Sequence, residues 1–229
     1  LPLHKFSDSN FQEELIKGIN LQKDIQSEHI VRIFDVKRTI NNLYIFSELC
    51  EGETLEKKLK NGQTFTEDQA CGILRQITDA VLSLGNVMHC HIKPENIVIS
   101  EGKVKLTDSI FAKAIEEAEN KTRLYHNQLG TPFFLAPQIL NDEPYSEKCD
   151  IWSAGYVFYE VLFGKLPWTG VSIPNLLKNI RTKPLVFPKE ISQETQDLLK
   201  KMLEYHETDR ISWREIQEHP VVQRSSSSS

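Results

Sequence analysis

Residues 89–96 read HCHIKPEN: two histidines around a cysteine, then Lys93, Glu95 and Asn96. Three chemistries could claim this cluster. A zinc centre needs donors converging on one tetrahedral ion, and neighbours on one loop strand do not converge, nor does a second Cys or His pair lie close by in the sequence. A Cys90–His91 nucleophile pair fails likewise, because consecutive side chains point apart and no oxyanion motif follows. The third reading treats His89 as a packed structural residue and Lys93 and Asn96 as the informative half. What decides between them is the sequence on either side.

Upstream, Thr66 and Gln69 have the form of a capping box, and Ile73, Ile77, Val81 and Leu84 continue one apolar stripe, which predicts a long helix. HIVRIFDVKRT (29–39) and LYIFSEL (43–49) are β-rich and flank INN, so they read as two antiparallel strands of a hairpin. Residues 8–25 place Phe11, Leu15, Ile19, Leu21 and Ile25 at near-helical spacing, with Gly18 inside at a cost of about 1 kcal/mol against alanine. Downstream, IVIS (97–100) and KVKLT (103–107) are short strands around EGK. Residues 108–137 are irregular, and a loop of that length in a compact domain is usually functional. Residues 147–164 are apolar nearly all round, which predicts a helix at the centre of a helical lobe. The chain closes on amphipathic helices, the last starting at Ser212 with Glu215 as a second capping box.

Composition narrows the function classes. The 229 residues are 39% hydrophobic and 26% charged, as in an ordinary globular protein, and the net charge of −5 supplies no basic field for nucleic acid or an acidic membrane. The longest apolar run, IWSAGYVFYEVLFG, contains Glu160 and is too short to cross a bilayer. Cys50, Cys71, Cys90 and Cys149 are widely spaced with no CxxC pair, which implies reduced thiols and a cytoplasmic protein. The serine tail is expected to be disordered.

Five stretches occur in one order: HCHIKPEN (89–96), VKLTDSIFAK (104–113), GTPFFLAPQ (130–138), CDIWSAGYVFYEVLFGKLPW (149–168) and DRIS (209–212). Together they resemble the eukaryotic protein kinase family, serine/threonine type, over roughly residues 9–221. The resemblance implies an α+β, bilobal kinase fold with a truncated N-terminal β lobe (1–49), a mainly helical C-terminal lobe (50–222) and a tail (223–229). It implies ATP and Mg²⁺ as cofactors and a protein hydroxyl as phosphoryl acceptor.

Carried over by position, Lys93 matches the phosphate-contacting lysine, Asn96 and Asp108 match the metal-binding pair, and backbone at Glu48 to Cys50 matches the adenine-facing hinge, with Ser47 as gatekeeper. Thr131 matches the threonine that contacts the catalytic loop, and Asp150, Trp152 and Gly155 match the buried helix that anchors it. The departures are as specific. His91 stands where the family has its base aspartate, and Cys90 where it has a phosphate-gathering arginine. Ser109 and Ile110 follow Asp108 in place of Phe and Gly. Gly18 takes the place of the helix glutamate, Lys5 is the only candidate for its lysine partner, and no glycine-rich loop precedes. Gln138 replaces the glutamate that pairs with Arg210, leaving that arginine without a counter-ion unless another acid compensates. These departures predict a pseudokinase that binds protein partners, with nucleic acid and membrane excluded. An active serine/threonine kinase using His91 as base, and an ATP-binding sensor without turnover, are the alternatives.

Overall fold

The computed structural model describes residues 9–23, 25–107, 113–114 and 132–224. The chain opens with helix α1 (Ser9–Lys23), which runs unbroken through the buried Gly18. The hairpin follows as strands β1 (Ile33–Arg38) and β2 (Leu43–Ser47), antiparallel with Val36 opposite Ile45. Its turn closes on itself: Thr39 N–H donates to the Asn42 carbonyl at 2.8 Å, and Asn42 N–H to Thr39 Oγ1 at 3.1 Å. The inner face buries Ile33 and Leu43 against Ile19 of α1, a cluster separate from the main core. A two-stranded sheet is marginal alone. This one is tied to the larger lobe by residues 29–31, where His29 Nδ1 lies 2.9 Å from the Val104 carbonyl and Val31 N–H donates to the Leu106 carbonyl at 2.9 Å.

The larger lobe begins with β3 (Glu53–Thr54) and α2 (Leu55–Lys60), capped by Thr54. Helix α3 (Glu67–Ser83) starts at Thr66, where both halves of the capping box with Gln69 form. Then come β4 (Val87–Met88), a 3₁₀ turn at Pro94–Asn96, β5 (Ile97–Ser100), β6 (Lys103–Leu106) and β7 (Lys113–Ala114). Strands β3, β5 and β6 make one antiparallel sheet, and β4 pairs with β7.

After the 3₁₀ turn Pro132–Phe134 and the short α4 (Pro137–Leu140), helix α5 (Lys148–Phe163) runs through the centre of the lobe and buries nearly every side chain it carries, as its all-round apolarity predicts. Gly155 is required where it stands: a Cβ there would meet Leu203 Cδ2 at 2.9 Å, so its absence lets α5 close on the end of α7. Helices α6 (Ile173–Thr182), α7 (Gln193–Met202), α8 (Trp213–Glu218) and α9 (Pro220–Arg224) complete the lobe: α7 packs on α5, α8 and α9 on α3, and α8 carries the second capping box, Ser212 with Glu215. The α+β, two-lobed architecture is the one the sequence implies.

Candidate functional site

The stretch HCHIKPEN joins β4 to β5 and is held by α5. Asp150, in the first turn of α5, is 1% exposed, and its two oxygens accept the backbone N–H groups of His89 (2.7 Å) and Cys90 (2.9 Å). Burial pushes this carboxyl up to about 7, against the pull of the two amides. Cys90 has φ +60°, the left-handed region that a non-glycine residue enters at a cost of about 1 kcal/mol or more. The pair of bonds to Asp150 holds the loop through that strained residue. His89 is fully buried, a packed structural residue as the sequence implies.

His91 and Asn96 meet across the 3₁₀ turn. Asn96 Nδ2 donates to the His91 carbonyl at 2.9 Å and lies 2.9 Å from His91 Nδ1. Rotating the amide would set its oxygen against the carbonyl oxygen, so the nitrogen assignment is the one that satisfies the pair. Nδ2 has only hydrogens to give, so Nδ1 must accept. The neutral ring therefore carries its own proton on Nε2. Lys93, at 17% side-chain exposure, forms an ion pair with Glu95, two residues away in KPEN. That partner pulls the Glu95 carboxyl below the usual range despite partial burial. The loop's far end is fixed by Thr107 N–H donating to the Asn96 carbonyl at 2.9 Å.

At the hinge, the Glu48 carboxylate accepts Arg32 N–H at 3.1 Å and pairs with Lys105, while Glu48 N–H donates to the Arg32 carbonyl at 2.9 Å. This clasp joins the end of β2 to β6, and sequence reasoning credited position 48 only with its backbone. Cys50 is half-buried, its thiol pushed up by burial and then by Glu48. Beside the catalytic loop a groove of about 340 Å³ is lined by Glu56, Lys60, Glu95, Phe134, Glu160 and Leu166, among others. Glu56 bonds Lys60 at 2.5 Å, and Glu95 is taken by Lys93. Glu160 Oε2 is buried without a hydrogen-bond partner, and burial, then Glu56 and Glu95, push its carboxyl up to about 7.

A family model for the protein kinase domain matches residues 3–222. The chain belongs to the protein kinase domain family. It is 30% identical over 218 residues to rat serine/threonine-protein kinase ULK3, covering 92% of this chain and 45% of that protein. To the serine/threonine-protein kinase atg1 of Dictyostelium discoideum it is 29% identical over 221 residues, covering 93% of this chain and 32% of the relative. To mouse Aurora kinase C it is 28% identical over 218 residues, with 94% and 77% covered. The chain thus spans about a third of the first relative and less than half of ULK3.

Within a kinase domain, the arrangement separates scaffold from chemistry. The helix that anchors the catalytic loop is in place through Asp150, with Trp152 stacked on Trp168 at 6.1 Å. Two of the residues singled out from the sequence are turned onto neighbours: Lys93 onto Glu95, and the Asn96 amide onto His91. Asp108, Ser109, Ile110, Thr131 and Lys5 lie outside the described residues, as does the side chain of Glu14. Mg²⁺ demands near-octahedral oxygen coordination. Asn96 offers one such oxygen, and no group of three or more His, Cys, Asp or Glu side chains able to hold a metal occurs among the described residues. The described residues do not fit the ion by themselves.

The expected loss of the Arg210 counter-ion is corrected by a displaced acid. Gln138 Nε2 donates to Glu207 Oε1 at 2.7 Å, and Arg210 Nη2 donates to Gln138 Oε1 at 3.4 Å. The amide thus relays between a buried guanidinium and a carboxylate that no motif marks.

Proposed function

We propose that this kinase domain is a pseudokinase: it retains the kinase scaffold and acts by binding protein partners rather than by transferring phosphate. The observation that carries this reading is the contact of His91 Nδ1 with the Asn96 amide, 2.9 Å away. A general base must present a lone pair to the substrate hydroxyl. Position 91 turns its Nδ1 lone pair to the Asn96 amide and keeps a proton on its other nitrogen. A ring held that way has its Nδ1 lone pair taken and its Nε2 buried, so neither nitrogen is presented as a base. Loss of a general base alone removes about two to four decades of rate. The ion pair of Lys93 with Glu95 subtracts a phosphate contact as well.

Phosphotransfer to a generic protein substrate, assayed with ATP and Mg²⁺ or Mn²⁺, is expected to equal that of an Asn96→Ala/Asp108→Ala control. Transfer clearly above the control would establish the active-kinase alternative instead.

The acidic groove supports the partner-binding half of the proposal. It sets one unpartnered, buried carboxyl, Glu160, beside apolar Phe134 and Leu166, a setting suited to a basic side chain with an aliphatic stem. The groups facing Glu160 are Glu56 and Lys60 from α2 and Glu95, with its partner Lys93, from the catalytic loop. A cation binds the ionised form, so binding expels the proton that Glu160 holds below about 7. The affinity of a short arginine-containing peptide is expected to rise about tenfold from pH 6 to pH 8 and to level off above, following the one-decade-per-unit limit of a single linked proton. In Glu160→Gln the rise should vanish. Calorimetric titration at several pH values reads this directly, and a pH-independent affinity would remove Glu160 from the contact.

A further inference from the structure

Residues 161–189 carry Lys165, Lys178, Arg181, Lys183 and Lys189 and no aspartate or glutamate, in a chain whose net charge is −5. Within that stretch the larger lobe opens a groove of about 320 Å³. Its lining is mostly apolar, with Pro167, Trp168, Pro184 and Val186, and Lys183 is its charged residue.

The groove is preformed, because the segments that make it are tied together. The Trp168 indole N–H donates to the Lys183 carbonyl at 3.0 Å, and Asn179 Nδ2 donates to the Thr169 carbonyl at 2.7 Å. The Tyr159 hydroxyl donates to the Val186 carbonyl at 2.6 Å. Behind the groove, Trp168 stacks on Trp152 of α5. These bonds use the backbone of Lys183 and Val186, and both side chains stay exposed, Val186 at 58%. A surface that needs no rearrangement costs a ligand little ordering.

Its charge is also unanswered within the chain. Elsewhere Lys57, Lys60, Lys105 and Lys201 each pair with a carboxylate. Among the described residues, Lys165, Lys178, Arg181 and Lys183 enter no such pair. The complementary charge has to come from outside.

We propose that this groove is a docking site for an acidic segment of a partner protein, which seats one large apolar side chain against Trp168 and sets carboxylates on Lys183 and the neighbouring cations. The volume lies at the small end for a ligand pocket and suits one or two side chains. Apolar burial supplies affinity, and the cations select the sign of the partner. Nucleic acid would call for several cations gathered on phosphates, whereas here one cation borders an apolar trough. Leu166 also lines the Glu160 groove, but that groove is acidic. The site described here takes the opposite charge, and the proposal holds whether or not the domain transfers phosphate.

The test is calorimetric titration of the full chain with the capped peptide Asp-Glu-Asp-Leu-Asp-Glu-Asp. Saturable binding is expected below about 1 mM. Lys183→Glu should weaken it about fivefold or more, and added salt should weaken it in the parent. Val186→Asp, or serine for the leucine of the peptide, should weaken it about tenfold. Both variants alter exposed side chains and keep the backbone bonds, and urea midpoints equal to that of the parent confirm that they fold. No binding at about 2 mM peptide overturns the proposal. So does unchanged affinity in both variants, or equal affinity for a peptide with lysine in place of every acid. A dimer in sedimentation that Val186→Asp dissolves would give the groove to a second copy of this chain instead.

Discussion

Asp150→Ala is expected to cost about 3–5 kcal/mol of stability, the range for breaking a buried charge-assisted arrangement by removing one partner. The carboxylate accepts both loop amides, from His89 and Cys90, inside the lobe. Its removal strands two buried N–H donors, and it also releases the loop at Cys90, whose left-handed backbone those bonds hold. Asp150→Asn is the sharper variant because it keeps shape and volume. Its amide can face only one of the two N–H groups with an oxygen; the other meets an NH₂ group, donor against donor. It should lose about 2–3 kcal/mol, most of the alanine effect. Urea denaturation followed by circular dichroism measures both, and a loss under about 1 kcal/mol for the Asp150→Asn variant would mean that the loop is held by other contacts.

That tie was legible through the resemblance to protein kinases, in which the aspartate of this buried-helix motif anchors the catalytic loop. Local signals in general carried through. Thr66 with Gln69 and Ser212 with Glu215 form the capping boxes their spacing implies, because a cap involves residues three apart and no tertiary partner. The hairpin likewise follows from alternation and turn residues. Helix α2 was missed, although Thr54 caps it and Lys60 reaches back to Glu56, because six residues show less than two turns of periodicity. Strand β3 has two residues and owes its existence to β5, more than forty positions later, which no local pattern can announce. At the site, the spacing of His91, Lys93 and Asn96 marked the right residues and not their contacts. That Asn96 turns its amide onto His91, and Lys93 its ammonium onto Glu95, depends on the 3₁₀ turn at Pro94 that brings side chains five apart together. The serine tail, the segment around Asp108 and the N-terminal residues lie outside what the structure describes.

The relay at Gln138 allows a charge to be moved across it, and the outcome is predictable. Arg210 is 1% exposed and donates to the carbonyls of Lys148 (2.8 Å), Glu204 (3.0 Å) and Tyr205 (3.3 Å), which satisfy its hydrogens but not its charge. Burial pushes its guanidinium down to about 10, and Glu207 is the first group that pulls it back. Glu207 in turn accepts from Gln138 Nε2 at 2.7 Å and from Ser146 N–H at 3.0 Å. Glu207→Gln removes the carboxylate from this chain of contacts and should cost about 2 kcal/mol, since the arginine is left buried without a counter-ion. Gln138→Glu alone puts a second carboxylate within hydrogen-bond distance of Glu207, and repulsion offsets what the shorter pairing with Arg210 gains; it too should lose about 1–2 kcal/mol. Combining the two restores a single carboxylate, now directly against Arg210, with the new amide at 207 donating to it as Gln138 donates now. The double variant should recover to within about 1 kcal/mol of the parent, a coupling of the size seen between residues in one buried network. Four urea midpoints decide the matter. If the two losses simply add, the amide is not a relay, and Arg210 is stabilised by its carbonyl acceptors and by its packing over Trp152, 5.1 Å from the ring centre.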